Sequence, residues 1–379
     1  MRINSYRKSI SKLKANGNYR LIPNFQEDIT NNLIDFSSND YLGLGANKRI
    51  KEEFFSKYEH HYFEMTASAS RLLSQSQNIY LQLESLLNSL YNKEILLFNS
   101  GYHANTGILS ALCNKNTLIV ADKLVHASII DGIILSRAPF VRFKHNNYDE
   151  LELILDKESP NYENIFIITE SIFSMDGDCC DLPRLVNIKK QYDNVILYVD
   201  EAHAFGVFGE NGLGLAEELD LIPEIDILVG TFGKACASSG AFVATTDILK
   251  EYLINKSRSF IFSTAIPPIC CLWTKFIIEH FLGMQKERLY LKEISLSLCN
   301  EMRNDGYNID SVSQIIPLII GDSAKTLEIS KKLRNLGYIA LPIRTPTVPK
   351  GTERIRLSLN SNLSKETITQ LIEALRTIR

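Results

Sequence analysis

Short apolar runs alternate with segments of helical periodicity through the middle of the chain. The runs are rich in β-branched and aromatic residues, which is typical of buried strands, and they fall at 95–98, 117–121, 140–143, 164–169 and 194–199. Segments with helical spacing, such as 81–87, lie between most of them. This alternation predicts an α/β fold with a mainly parallel sheet covered by helices. In such folds ligands bind beyond the carboxyl ends of the strands.

The two ends of the chain show different patterns. Residues 1–45 begin with a basic, helix-compatible segment and continue into turn-rich sequence and a short strand, which predicts an N-terminal arm too short for a core of its own. From about residue 271, a long amphipathic stretch, apolar strands and a terminal helix predict a smaller C-terminal α+β domain. The predicted division is therefore an arm at 1–45, a large domain at 46–270 and a small domain at 271–379.

Composition narrows the class of protein. The 379 residues are 45% hydrophobic and 22% charged, with a net charge of −3, so the chain carries no electrostatic signature of nucleic-acid or membrane binding. No apolar run approaches the ~18 residues of a membrane-spanning helix. The seven cysteines form no C-x-x-C pair, and no signal peptide precedes them. We therefore expect a cytoplasmic protein with reduced thiols and no bound metal.

One lysine is notable for the sequence on either side of it. Lys234 lies between the apolar runs 227–229 and 241–244, within a segment of small residues. A lysine confined among apolar strands loses hydration, which favours the neutral amine that Schiff-base chemistry with an aldehyde requires. An exposed loop position is the more common explanation for an arbitrary lysine. The chemical interpretation therefore needs partner residues elsewhere in the chain.

Two such partners follow the strand at 194–199. Asp200 ends this buried run, and a buried carboxylate is costly to desolvate unless a cation meets it. The protonated ring nitrogen of pyridoxal phosphate (PLP) is such a cation, and His203 could donate to the phenolate oxygen of the same ring. An aspartate that only caps the next turn is an equal alternative. Thr231 and Lys234, after the next apolar strand, favour the cofactor site.

Other strand ends carry weaker signals. Gly101 follows the strand at 95–98 in a turn that opens a helix, where free amide groups attract phosphate. His126 follows the strand at 117–121, although a single histidine at a helix start is more often structural. Ser174 comes after the strand at 164–169. Together these positions place polar groups at successive strand ends.

Seven motifs occur in the order found in one known family. They are Phe36–Leu44, Asn99–Asn105, Asp122–Ser128, Ser174–Asp178, Asp200–His203, Thr231–Lys234 and Arg344–Pro349. Over nearly its whole length the chain resembles the α-oxoamine synthases, a family of fold-type I PLP enzymes. The resemblance implies a PLP-dependent acyltransferase that acts on small molecules and forms a homodimer.

The resemblance also implies roles for individual residues around PLP. Lys234 is the residue expected to bind the cofactor covalently, Asp200 to pair with the ring nitrogen and His203 with the phenolate oxygen. His126 is expected to stack on the ring face. The remaining residues expected to line the cofactor or its phosphate are Gly101, Tyr102, Ser174 and Thr231.

Three residues match positions that face the substrates. Arg344 is similar to the arginine that binds the carboxylate of the amino acid, for which the two-pronged guanidinium is well suited. Thr347 matches a further substrate-side position. Arg20 matches a residue of the N-terminal arm that faces the acyl substrate.

The resemblance leaves the substrates open. Where relatives carry glycines around Ser70-Arg71, this chain has Ala67, Ala69 and Gln75, and added β-carbons narrow the approach of a ligand to the backbone. L-Alanine with a pimeloyl thioester is the pair of substrates that we expect, and glycine and serine are the alternative amino acids. The acyl group could be carried by coenzyme A or by a carrier protein. A non-catalytic partner subunit is an alternative of another class. The presence of Lys234 argues against it.

Overall fold

The structure is a computed structural model that describes residues 3–22 and 33–378. The chain divides into two compact units. The larger unit contains Asp40–Phe173 and Cys179–Arg288, and the smaller contains the described residues before Asp40 together with Ser174–Asp178 and the chain from Leu289 onward. Among the described residues, no helix is both long and apolar enough to cross a membrane.

Helices and strands alternate along most of the described chain. In order they are α1 (Asn4–Ala15), β1 (Ile34–Asp35), α2 (Lys48–Tyr58), α3 (Gln77–Tyr91), β2 (Glu94–Phe98), α4 (Gly101–Leu112), β3 (Thr117–Asp122), α5 (Ala127–Ser136), β4 (Phe140–Phe143), α6 (Tyr148–Glu158), β5 (Asn164–Glu170), α7 (Leu182–Lys189), β6 (Val195–Asp200), α8 (Leu215–Glu218), β7 (Ile227–Thr231), β8 (Ala241–Thr245), α9 (Asp247–Lys256), α10 (Arg258–Ile261), α11 (Pro268–Phe281), α12 (Gln285–Asn304), β9 (Ile315–Ile319), α13 (Ser323–Asn335), β10 (Tyr338–Ile339), β11 (Pro342–Ile343), β12 (Arg354–Ser358) and α14 (Lys365–Thr377).

A seven-stranded sheet forms the centre of the larger unit. Its spatial order is β2-β8-β7-β6-β5-β3-β4. Strand β8 is antiparallel to both of its neighbours, and all the other neighbouring pairs are parallel. The predicted α/β fold with a mainly parallel sheet is confirmed, and each strand that the sequence predicts in this region is present.

Both faces of this sheet are buried except at the edge strand β4, whose first three residues are exposed, and this burial explains the continuous apolar runs in the inner strands. Alternate residues of the strands point to one face, where they join the apolar sides of α4 and α5 in a single core. Ile119 and Phe166 belong to that core, as do Ile108 and Ile129 of the covering helices. The residues between them in the strands, such as Ile167, are equally inaccessible to solvent.

The described part of the smaller unit contains two short sheets. Strands β11, β12 and β9 form an antiparallel sheet in that order, and β1 pairs with β10 in parallel. Residues 174–178 belong to this unit because two buried arginines of β12 bind them. Arg356 Nε donates to Ser174 O at 2.6 Å, and Arg354 Nη1 donates to Met175 O at 3.1 Å and also pairs with Asp176.

The amphipathic stretch at 271–303 is two helices. Helix α11 ends at Phe281, and α12 begins at Gln285 after a three-residue break that contains Gly283. The buried guanidinium of Arg288 supports this break, because its Nη1 donates to Phe281 O at 2.7 Å and satisfies a carbonyl at the end of α11. The boundary between the two units falls within α12, at Arg288 and Leu289.

A glycine allows β7 to pack against an aromatic ring of β8. A Cβ atom added to Gly230 would lie 2.3 Å from Phe242 Cε1, well inside van der Waals contact. The Phe242 ring is fully buried and stacks on Phe232, with ring centroids 5.5 Å apart. The strand that precedes Lys234 therefore requires a residue without a side chain at this position.

We expect Gly230→Ala to lower the free energy of unfolding by about 1–3 kcal/mol, because the core must shift to accept the methyl group. Denaturant unfolding of the purified protein measures the change. Gly283→Ala is the matched control, since the nearest atom to its added Cβ is His280 O at 3.7 Å, an ordinary contact. Equal effects of the two substitutions would contradict this account of β7.

A buried glutamate holds the loop that follows β6. Glu201 Oε2 accepts hydrogen bonds from Ser171 Oγ at 2.6 Å and Leu215 N at 3.1 Å, and Oε1 accepts from Ala216 N at 2.8 Å. The pKa of Glu201 is raised to about 7, mainly by burial and to a smaller extent by the charge of Asp200, while these hydrogen bonds oppose the rise. The carboxyl group ties the end of β6 to the start of α8.

The raised pKa of Glu201 predicts a pH dependence of stability. Between pH 4.5 and about 7 the folded protein keeps a proton on Glu201 that the unfolded chain releases. The stability that this proton contributes is therefore complete below pH 4.5 and is lost as the pH rises through about 7. Glu201→Gln removes the titration, and we expect its unfolding midpoint to fall less steeply between about pH 5 and about pH 7. Glu59→Gln, at an exposed position, is the control. Identical slopes in wild type and Glu201→Gln would refute the assignment.

Candidate active site

Neighbouring strands bring the candidate residues together at their carboxyl ends. Asp200 is the last residue of β6, Glu170 the last of β5 and Thr231 the last of β7. These three strands are adjacent and parallel, so their ends meet at one edge of the sheet. The first residues of α4 and α5, which follow β2 and β3, complete the site.

A cavity of about 180 Å³ opens at this edge. It is lined by Gly101, Tyr102, Asn105, His126, Ser128, Glu170, Asp200, Ala202, His203, Thr231 and Lys234. The structure therefore brings together seven residues that the sequence predicts around one ligand, namely Gly101, Tyr102, His126, Asp200, His203, Thr231 and Lys234.

The amine of Lys234 lies against an imidazole. Its Nζ is 2.9 Å from His203 Nε2, and His203 Nδ1 is 2.7 Å from the hydroxyl of Tyr41. Tyr41 and His203 are buried, whereas Lys234 is partly exposed to the cavity. Because both ring nitrogens of His203 have partners, the orientation of the ring is fixed. The tight turn that carries Lys234 is closed by a hydrogen bond from Ala237 N to Lys234 O at 2.8 Å.

The carboxylate of Asp200 is buried and held by two donors. Oδ2 accepts from Asn105 Nδ2 at 2.8 Å, and Oδ1 accepts from Ala202 N at 2.9 Å. Only 5% of the residue is exposed. Carboxylate oxygens have lone pairs beyond those used by these two bonds, so Asp200 can still accept from a cation in the cavity.

His126 caps helix α5 at the side of the cavity. Its Nδ1 accepts from Ser128 N at 3.2 Å and lies 2.8 Å from Ser128 Oγ. Although part of the ring remains exposed, the protein packed around it removes water and lowers the pKa of His126; Lys234 lowers the pKa further, and Asp200 opposes the change. A neutral, flat ring in this position suits stacking on an aromatic ligand.

The start of α4 offers a site for an anion. The first amide groups of a helix, here those of Gly101 and Tyr102, have no carbonyl partner within the helix, and they attract phosphate. Ser100 caps the helix through a hydrogen bond from His103 N to Ser100 Oγ at 3.2 Å. Thr231 lies beside Gly101, with its Oγ1 3.8 Å from the position of an added Cβ. A phosphate can therefore approach the backbone here.

The cavity has the donor set that PLP requires. An amine can take the aldehyde, an imidazole the phenolate oxygen, a buried carboxylate the ring nitrogen and a helix N-terminus the phosphate. These four groups are supplied by Lys234, His203, Asp200 and the first turn of α4, all within the larger unit. The residues present fit the cofactor.

The other four predicted residues belong to the smaller unit. Arg20 Nη2 donates to Thr347 Oγ1 at 2.6 Å, and Arg344 donates to the carbonyl groups of Gly17 and Tyr19. Burial lowers the pKa of Arg344, and so does the charge of Arg20. Two guanidinium groups that repel each other electrostatically favour an anionic ligand. The fourth residue, Ser174, is held through its carbonyl oxygen as described above.

The predictions from sequence did not include Asn105, Ser128, Glu170 and Ala202 of the cavity lining, or Tyr41 behind His203. Asn105 and Ser128 lie within quoted motifs, and their side chains connect Asp200 to His126. Asn105 could have been predicted from its spacing, because it follows Gly101 by one helical turn and so lies on the same side of α4 as Gly101. Tyr41 contacts His203 across 162 residues of sequence, and no local pattern indicates that pairing.

One residue of the run around Ser70-Arg71 adopts a conformation that favours glycine. Ser68 has a φ of 51°, in the left-handed region. Ala67, Ala69 and Gln75 line a second cavity of about 520 Å³, which is open to solvent.

Comparison with known proteins shows the family of this chain. Residues 31–375 match the aminotransferase class I and II family. A protein of Pasteurella multocida (strain Pm70) with the name "Putative 8-amino-7-oxononanoate synthase" is 48% identical over 382 residues, covering 98% of each chain.

Two solved structures extend the comparison. The 8-amino-7-oxononanoate synthase of Francisella tularensis is 30% identical, with a TM-score of 0.77 over 92% of this chain and 97% of that chain. A serine palmitoyltransferase variant of S. paucimobilis, with a bound PLP–myriocin aldimine, is 25% identical, with a TM-score of 0.85 over 91% and 87%. The chain therefore belongs to the aminotransferase class I and II family and is a PLP-dependent acyltransferase of fold type I, similar to 8-amino-7-oxononanoate synthases.

Proposed function

We propose that this enzyme condenses L-alanine with a pimeloyl thioester, carried by coenzyme A or a carrier protein, to form 8-amino-7-oxononanoate for biotin biosynthesis. The observation that carries the proposal is the cavity in which Lys234, His203 and Asp200 meet. The choice of substrates rests on the relatives with that name, one of which is 48% identical over 98% of the chain. The overall reaction joins the α-carbon to the acyl carbon and releases the thiol and CO₂.

Lys234 has two tasks in this proposal. Bound PLP supplies an aldehyde that captures amino groups and a protonated ring that withdraws electrons from the substrate's α-carbon. Lys234 Nζ would hold the aldehyde, and the same amine would act as the base for the proton on the substrate's α-carbon. His203 Nε2 lies 2.9 Å from Nζ and keeps the amine at this side of the cavity, where the imidazole would donate to the phenolate oxygen.

Other residues hold charge and orientation. Asp200 would hold the protonated ring nitrogen, and His126 would stack on the ring. The amide groups of Gly101 and Tyr102, with the hydroxyl group of Thr231, would bind the phosphate. These contacts fix the reacting atoms before any bond is broken, which is a positioning effect.

The cluster of Arg344, Arg20 and Thr347 binds the substrates. Arg344 pairs with the carboxylate of the amino acid in a bidentate geometry. Arg20 faces the acyl substrate, and Thr347 supports it through their hydrogen bond. The lowered pKa of Arg344 beside Arg20 supports this assignment, because two adjacent cations are relieved by an anionic ligand.

A sister reaction with glycine or serine is the second candidate. The structural similarity to a serine palmitoyltransferase, with a TM-score of 0.85, favours it as an alternative. Both candidates use the same chemistry at Lys234 and differ in the pocket for the amino-acid side chain and in the acyl group.

We expect Lys234→Ala to abolish covalent binding of PLP. The wild type should be yellow after dialysis against PLP-free buffer, and borohydride should leave the cofactor attached to the peptide that contains Lys234, as seen by mass spectrometry. Activity should fall at least about 10²-fold, because the base is lost with the attachment point. Lys48→Ala, at an exposed position, is the control. A colourless wild type that takes up no PLP would support a non-catalytic subunit instead.

Substrate profiling separates the two candidate reactions. The holoenzyme is incubated with pimeloyl-coenzyme A and, separately, with alanine, glycine or serine, and the products are identified by mass. We expect turnover with alanine to exceed turnover with the other two by about tenfold or more, which is the discrimination that one methyl group provides. Turnover with glycine or serine alone would assign the enzyme to the sister reaction.

A further inference from the structure

Asn105 lies between two residues that are assigned roles around PLP. It is 1% exposed on α4. Its Nδ2 donates to Asp200 Oδ2 at 2.8 Å and to Ser128 Oγ at 2.9 Å, while its Oδ1 accepts from the hydroxyl of Tyr198. Both hydrogens on the amide nitrogen and the carbonyl oxygen are therefore in use. The orientation of the amide is fixed, because the reversed orientation would face its oxygen to the carboxylate.

The hydrogen bonds beyond Ser128 determine the tautomer of His126. The backbone N–H of Ser128 can only donate, and it lies 3.2 Å from His126 Nδ1, so this nitrogen carries no proton. Ser128 Oγ accepts from Asn105 and lies 2.8 Å from the same Nδ1, so its hydrogen points to the imidazole. A neutral ring then carries its single proton on Nε2.

We propose that Asn105 is a positioning residue that fixes the carboxylate of Asp200 and, through Ser128, keeps His126 as the Nε2–H tautomer. The inference rests on the proposed roles of Asp200 and His126. One amide thereby sets two parts of the site together, namely the acid that meets the ring nitrogen and the imidazole that stacks on the ring. The donor left on His126 is Nε2–H.

The alternative is a purely structural role, in which these hydrogen bonds only hold α4, α5 and β6 together. Asn105 is on α4, Ser128 on α5 and Asp200 on β6, so loss of the amide would also loosen their packing. A purely structural role would lower the unfolding midpoint without changing the histidine tautomer or the protonation of the PLP ring. The tests therefore measure those two properties directly.

The tautomer is measured by ¹⁵N NMR of protein labelled in its seven histidines, with and without PLP. The His126 signals are assigned by their loss in His126→Gln. We expect the pattern of a neutral Nε2–H ring near neutral pH. In Ser128→Ala, which removes one of two donors to Nδ1, we expect a mixture with the Nδ1–H tautomer. Ser136→Ala, which removes a hydroxyl bonded only within α5 and to Ala138 N, should leave the signals unchanged.

The contact with Asp200 is tested by Asn105→Asp. This change places a second carboxyl group beside that of Asp200. Two carboxyl groups so close together cannot both be ionised, because their negative charges repel each other. We expect the dissociation constant of PLP to rise about 10- to 100-fold, the scale of one charge-assisted hydrogen bond, and the nitrogen of ¹⁵N-labelled PLP to lose its proton in part. Ser128→Ala should weaken PLP binding less, because it leaves this contact intact. If Asn105→Asp does not fold, Asn105→Ala serves, since it removes the donor without adding charge.

The results separate this inference from the proposed function. An Nδ1–H ring in the wild type, or unchanged His126 signals in Ser128→Ala, would overturn the tautomer assignment. PLP affinity and ring protonation unchanged in a folded Asn105 variant would overturn the contact with Asp200. Either result can occur in an enzyme that binds PLP at Lys234 and turns over alanine, in which case the proposed function stands and the inference fails.

Discussion

The site depends on the burial of one carboxylate at the end of β6. Asp200 is 5% exposed, and removing an ionised carboxylate from water costs several kcal/mol unless donors and a cation compensate. Asn105 and the amide of Ala202 provide two hydrogen bonds. In our proposal the ring nitrogen of PLP provides the cation. The same ion pair would then both bind the cofactor and stabilise the buried charge of Asp200.

The neighbouring strand determines where the amine lies relative to that carboxylate. Strand β7 is parallel to β6, with Asp200 opposite Val229, and the chain then turns sharply before it returns as β8. Trp273 Nε1 donates to Ala237 O at 2.9 Å and holds the far side of the turn. Small residues make this close turn possible. A rigid turn on a buried strand is a better support for a reactive side chain than a free loop.

Residues at strand ends could be predicted from sequence because apolar runs end abruptly at polar residues, as at Asp200 and Thr231. Pairings between distant segments could not, since the contact between Tyr41 and His203 leaves no periodic signal in either segment. The arginines of β12 show another limit of prediction from sequence. Alternation such as Arg354-Ile-Arg-Leu usually indicates a strand with one solvated face, yet both arginines are buried because they bind the carbonyl groups of Ser174 and Met175.

The central claim is that Lys234 and Asp200 hold opposite parts of one PLP molecule. A crystal structure of the enzyme with PLP tests it most directly. We expect continuous electron density from Lys234 Nζ to the aldehyde carbon and a carboxylate oxygen of Asp200 within about 3 Å of the ring nitrogen. Density for PLP joined to another lysine, or a ring nitrogen that faces a group other than Asp200, would contradict the account.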